Sequence, residues 1–305
     1  MQSRGEVNKS LRSFIIISGI GGAWGNMIGM GTAVFAGFVL SLGADASDIA
    51  FYSAIASILA PVQIIASLFS KSIENKKRWV VWNGILGVLF RGLIITIPFL
   101  FVESIHQRML LVFLVVGMVA GYIYTPFLSS WVAGTVPENI RARFTSRQTI
   151  VQSVVGAIIG VMTGRFVDMF PNDEKMTAFV IVFTVGTLCG IVQYWVLQRT
   201  PYPTQADPTE TGNPIRYLLQ PFKDRNFRQL VTFFSFWQFA MGLAGPLFSV
   251  FMLDRLGFGY TAISVLSAAG TLTTIAGYRV WSVLIDRFGS KPVLQILIIP
   301  GALNA

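Results

Sequence analysis

Apolar residues in this chain gather in runs of about 20 or more, parted by short polar loops, with little of the close alternation that marks half-buried elements of a soluble fold. A run of 18 or more apolar residues with few charges is long enough to cross the hydrocarbon core as a helix. The runs predict membrane helices over about 14–42, 49–70, 79–102, 109–136, 148–170 and 178–197, then about 230–253 and 260–285, with a ninth opening near Pro292. The longest polar interruption, residues 198–228, holds five prolines and three acids and cannot lie in hydrocarbon. It divides the chain into a six-helix bundle (1–197), a linker (198–229) and the start of a second bundle (230–305) with helices 7, 8 and part of 9. The expected class is an all-α polytopic membrane protein with an incomplete second bundle. From Pro292 to Ala305 there are about 14 residues where about 20 are needed to span, so the chain is expected to stop inside helix 9.

Composition agrees with that pattern. The chain is 53% hydrophobic and only 12% charged, against about 25% charged for a soluble domain. A net charge of +9 raises the question of nucleic acid, but the basic residues sit in short loops and form no stripe, so no nucleic-acid partner is expected. Their placement is informative in another way. Of the 23 Lys and Arg, only Arg108, Lys175 and Arg255 fall in loops on one side and Arg91, Arg165 and Arg279 fall within spans; the rest lie on the opposite side. Cytoplasmic loops retain Lys and Arg, so the N-terminus, the linker and the loop after helix 8 are expected to face the cytoplasm, in a multi-pass plasma (inner) membrane protein. The short basic start before helix 1 resembles a signal peptide, but the apolar run is too long for one and reads as a retained helix.

Chemistry-bearing residues are few. One cysteine, Cys189, lies in an apolar segment, and one histidine, His106, lies in an outer loop. They supply neither a disulfide framework nor the His, Cys and carboxylate cluster that a membrane-embedded enzyme or metal centre needs. No phosphate-cradling loop or dinucleotide fingerprint is present, so an enzyme, a cofactor and an energy-coupled pump are not expected. Charge inside the spans is more telling, because an ionisable group at the bilayer centre costs at least about 2.5–3.5 kcal/mol. Arg91 lies near the middle of helix 3; Arg165 and Asp168, three apart, are expected to form a local pair on helix 5; Arg279 precedes Asp286 by about two turns. No acid lies at the centre of a complete span, which gives proton coupling no support. Gly21, Gly25 and Gly29 on helix 1, and Gly156, Gly160 and Gly164 on helix 5, are four apart and predict close helix packing in lipid. Pro126 and Pro246 predict bends in helices 4 and 7.

After helix 8 the sequence reads S-V-L-I-D-R-F-G-S-K-P from Ser282 to Pro292. Asp286, Arg287, Gly289 and Lys291 resemble the G-x-x-x-D-R-x-G-x-K/R-K/R signature of the major facilitator superfamily, with Ser282 in place of the leading glycine and Pro292 in place of the last basic residue. The loop between helices 2 and 3 matches poorly: Ser70 and Lys71 stand at the Asp-Arg positions, with Glu74 and Lys76-Lys77-Arg78 beyond. The loop V-P-E-N-I-R-A-R-F-T-S-R-Q after helix 4 resembles the Pro, Arg-x-Arg, Arg segment of many bacterial members. Helix 5 lacks the Gly-Pro pair of the superfamily's antiporter signature.

The resemblance implies a secondary transporter working by alternating access, with three helices beyond the ninth. It places helices 1, 4 and 7 around the central cavity, which makes Trp24, Asn26, Tyr122, Tyr124, Trp131, Trp237 and Gln238 candidate substrate contacts. Amides read hydroxyls and flat rings stack on sugar faces or large apolar ligands, so the implied cargo is a neutral or anionic organic solute, with or without a coupling ion, carried by a monomer in the lipid bilayer. The resemblance also implies that Asp286 and its neighbours hold one access state, and it sets helix 3, with Arg91, at the outside of its bundle. A transporter-like receptor or a non-transporting remnant is the competing expectation, on account of the missing helices.

Overall fold

The structure, a computed structural model, describes residues 4–69, 73–203 and 220–288, with the main chain alone for 4–6, 238–246, 278–279, 281–283 and 285–286. Eleven α-helices are formed among them: α1 Arg4–Ile28, α2 Ala33–Ser41, α3 Ala46–Leu59, α4 Val62–Leu68, α5 Lys76–Leu93, α6 Ile97–Leu100, α7 His106–Thr135, α8 Glu138–Asp168, α9 Lys175–Gln198, α10 Arg225–Asp254 and α11 Tyr260–Phe288. They make an all-α polytopic membrane fold. Among the described residues six helical stretches, the first Val7–Ser41 and the last Lys175–Gln198, are long and apolar enough to cross a membrane.

Helix 1 of the sequence is two helices. Between α1 and α2 the run Gly29–Thr32 leaves the helix, with the Gly29 carbonyl accepting from the Thr32 amide at 3.0 Å and the Thr32 hydroxyl at 2.8 Å. The Thr32 side chain then accepts from the Phe35 amide at 3.2 Å and so caps α2. Helix 2 is likewise split into α3 and α4 around Ala60 and Pro61, because proline cannot donate to the helical ladder. By contrast α7 and α10 run through Pro126 and Pro246 without interruption. The interruptions of the first two spans fall on Gly29–Thr32 and on Pro61.

Several helices start well before their apolar runs. The fifth span begins at Glu138, about ten residues ahead of the hydrophobic edge, since Glu, Arg and Ala are good helix formers and the helix simply protrudes from the membrane. α10 begins at Arg225, with Asp224 accepting from the amides of Asn226 and Phe227 at 2.7 and 3.1 Å, so the helix takes up residues expected in the linker. α11 extends to Phe288, which puts Asp286 and Arg287 in its last turn rather than in a loop. The ninth segment, with Gly289 and Lys291, lies outside the described residues.

Within the first six spans, α1 packs on α8 and α9, α5 on α7 and α9, and α3 and α4 on α7. The core holds interlocked aromatics: Phe38 meets Phe179 and Phe183 at 5.9 and 5.0 Å, and Trp131, fully buried, meets Phe14 and Tyr202 at 6.3 and 5.0 Å. The Trp131 indole donates to the Pro201 carbonyl at 2.9 Å, strapping the first residues after α9 onto this unit. The Cys189 thiol is half-buried and packs against the same core.

The glycine seams are real but one is shifted in register. A methyl group at Gly22 would overlap the main-chain carbonyl oxygen of Gln152 on α8, and one at Gly156 would overlap the Asn26 amide. Gly25 has nothing within 4 Å, Gly21 faces Gln193 of α9, and Gly29 belongs to the helix break. The close face of α1 toward α8 is therefore Gly22 and Asn26, not Gly21, Gly25 and Gly29. On α8 the row holds, with two partners: Gly156 and Gly160 face α1, while a methyl group at Gly164 would lie 2.6 Å from both Ser264 Oγ and the Tyr260 carbonyl on α11.

Candidate transport site

The two helices after the linker meet the first six spans mainly at one end. α10 packs on α2 and α3, the segments of the first two spans far from the basic loops, and α11 packs along α8 and against α2. At that far face, α11 begins with Tyr260, buried in the first unit. Its ring lies edge-on to Phe179 at 6.0 Å, its hydroxyl abuts Gly37, and the Lys175 ammonium lies 5.5 Å from its centre. Gly257, at φ +63, makes the left-handed turn that returns the chain from α10 to this point.

Asp168 completes the closure. Its carboxylate accepts from the main-chain amides of Tyr260 at 3.0 Å and Thr261 at 2.7 Å, capping the first turn of α11 from across the interface. The expected pair with Arg165 is not formed. Arg165 is exposed, and a surface ion pair at 3.8 Å joins Arg255 and Asp254 instead. A carboxylate beside unsatisfied helix N-terminal amides gains hydrogen bonds and a favourable dipole together, which a solvated arginine does not offer.

Deeper in, the candidate residues separate into two groups. Arg91 occupies the last turn of α5, and its guanidinium stands 5.6 Å from the Trp24 ring centre on α1. The Trp24 indole donates to the side-chain oxygen of Gln193 on α9, an amide absent from the sequence-based candidates, which come from helices 1, 4 and 7 alone. Asn26 is exposed, donates to the Gly22 carbonyl at 3.0 Å, and lines a polar cavity of about 90 Å³ with Gly160 and, from α11, Ser264, Ser267 and Thr271. Those three hydroxyls also escape the sequence reading, since serine and threonine are unremarkable in a membrane helix; their three- and four-residue spacing was the available sign.

The other aromatic candidates are tied to packing. Tyr122 donates to the Ala56 carbonyl at 2.7 Å and links α7 to α3. Tyr124 is bonded to the hydroxyl of buried Tyr194, whose ring lies directly on Gly84 of α5. Trp131 is committed to the strap described above. Trp237 is half-buried and stacks on Phe233 at 6.3 Å. The side chains of Gln238, Arg279 and Asp286 lie outside the described residues; Arg287 is exposed, with its guanidinium 5.6 Å from the Phe288 ring centre. His106 is buried at the start of α7, with a ring nitrogen 2.9 Å from the Phe101 carbonyl.

Two helical units closed against each other at one membrane face, with polar groups between them at mid-depth, is the build of a membrane transporter. The chain belongs to the Major Facilitator Superfamily, whose sequence profile matches residues 10–303. Among solved structures it is similar to a bacterial homologue of the human lysosomal transporter Spinster, in an inward-facing and unoccupied conformation, with a TM-score of 0.59 at 14% identity. That likeness covers 94% of this chain and 64% of the other, so the chain spans less than two thirds of its neighbour's length. No curated protein matches it. Family and fold are those of transporters.

Proposed function

We propose that the protein is a secondary carrier that moves a small organic solute by alternating access, with the basic face in the cytoplasm and the six-helix unit rocking against the second unit. The observation that carries this reading is the one-sided closure: Tyr260 and Asp168 join the units at the far face, and the second unit packs on α2 and α3 of the broken first and second spans. The helix packing of α10 on α2 and α3 and of α11 along α8 is completed there by one buried ring and two hydrogen bonds, polar links that a conformational cycle can exchange for water. The bias of basic residues toward one side supports the orientation. The reading is tested by uptake of labelled neutral sugars and organic anions into liposomes holding the full-length protein, with and without a proton gradient. Accumulation of any of them above protein-free vesicles supports a carrier, whereas flux at background for all, alongside saturable binding, makes it a receptor.

In this reading the last turn of α11 and the residues beyond it, Asp286, Arg287, Gly289 and Lys291, form the latch of the opposite, basic-face closure. The motif match and the position of Asp286 at a helix end on the basic side support that role. Asp286→Asn is expected to lower flux severalfold while leaving the amount of inserted protein unchanged; wild-type flux from this variant removes the latch.

A further inference from the structure

We propose that Arg91 and Trp24 form the receptor for an anionic group, a carboxylate or a phosphate, on a solute with a flat or apolar body; the proposal rests on the carrier reading above. Arg91 is the one basic residue near the middle of its span, Lys76–Leu100, and Trp24 is at the matching depth of Val7–Ser41. Among the described residues no carboxylate pairs with Arg91 and no carbonyl accepts from it. Arginine in a membrane is expected to face a partner, a cavity or the interface. The interface is excluded by direction: the side chain lies along Gly117 and Gly121 of α7, where added methyl groups would stand 3.2 Å from its Cγ and 3.4 Å from its terminal Nη2, and it ends over Trp24.

The surroundings suit an anion with a ring or chain attached. The guanidinium keeps its N–H fork free of protein acceptors among the described residues while its carbon stands 5.6 Å from the indole centre, which leaves bidentate donors for a carboxylate or phosphate. Gln193 fixes the indole through its N–H, so the ring plane is set before a ligand arrives. The competing role, stabilising the C-terminal end of α5 through its dipole, is served by charge alone and does not need contact with Trp24.

The test uses the full-length protein with Cys189→Ser and a reporter thiol at Gly121→Cys, which places the sulfur beside Arg91. Modification rates by an anionic (sulfonatoethyl) and a cationic (trimethylammonioethyl) methanethiosulfonate are measured by mass in phosphatidylcholine vesicles; their ratio cancels the thiolate fraction. The anionic-to-cationic ratio is expected to be higher by about tenfold or more with Arg91 than with Arg91→Gln, and Arg91→Lys should keep most of the preference. Equal ratios overturn the anion site and leave the carrier reading standing; a thiol that neither reagent reaches from either face overturns both. A second arm needs no variant at 91. Phenylphosphonate should slow labelling at least threefold more than benzyl alcohol at equal concentration, and protection that appears only when phosphatidylglycerol is added assigns the site to lipid and overturns a solute receptor.

Discussion

Gly22→Ala is expected to unfold at markedly lower temperature than wild type in detergent, while Gly25→Ala, one turn away, is not. Alanine is ordinarily the better helix former by about 1 kcal/mol, so propensity alone predicts that both substitutions help. At Gly22 the added methyl overlaps the Gln152 carbonyl oxygen, a main-chain atom that cannot rotate aside. α1 and α8 must then separate along the seam where Asn26 also meets Gly156 and Gly160. Overpacking of this kind costs about 1–3 kcal/mol, enough to outweigh the propensity gain, and Gly22→Leu should go further and reduce the yield of folded protein. At Gly25 nothing lies within 4 Å, and the propensity gain should remain. Thermal unfolding followed by light scattering separates the cases; identical midpoints for the two alanine variants would show that the seam relaxes freely.

The second large effect is expected at the far face. Asp168→Ala removes both acceptors for the first amides of α11. Loss of an N-cap costs about 0.5–2 kcal/mol, and because Asp168 is exposed about 1 kcal/mol is the reasonable value, which under the proposed alternating access is a shift of roughly fivefold between the two states. Tyr260→Ala removes a buried ring from between Phe179 and Gly37 and should shift the balance further. Spin labels at Asp173 and Leu256, both exposed in far-face loops, report the outcome in a Cys189→Ser background. The distance distribution should gain a longer component in Asp168→Ala and a larger one in Tyr260→Ala. A single unshifted peak in both would mean that the closure is held elsewhere.

The sequence made the membrane architecture legible because hydrocarbon imposes one requirement on every span, and the count of apolar runs agrees with the charge of the loops. It misled on helix starts, because hydropathy marks the membrane edge and Glu138–Arg147 continues as helix outside it. It gave no sign of one break: Gly29–Thr32 interrupts the first span through a threonine cap, where the sequence shows only a glycine row. Asp168 was visible as an intramembrane acid, but spacing on one helix pointed to Arg165. Its actual partner is main chain 92 residues away, and no pattern of side chains announces an amide. Arg91 is the opposite case, since its depth alone marked it, and the structure adds its direction toward Trp24. Gln193, Ser264, Ser267 and Thr271 escaped because they become distinctive only once α9 and α11 are set beside α1.

The glycine row of α8 sorts inherited damage into two kinds. Enlarging Gly156 wedges α8 off α1, inside the six-span unit, and the protein should be lost to quality control. Enlarging Gly164 presses on Tyr260 and Ser264 of the other unit, so under the proposed mechanism the chain should still fold yet favour one state of its cycle. Second-site revertants should follow the same division. Those for position 164 would map to smaller residues on α11, and those for position 156 to α1, so a collection of revertants would draw the boundary between the moving parts without any structure at hand.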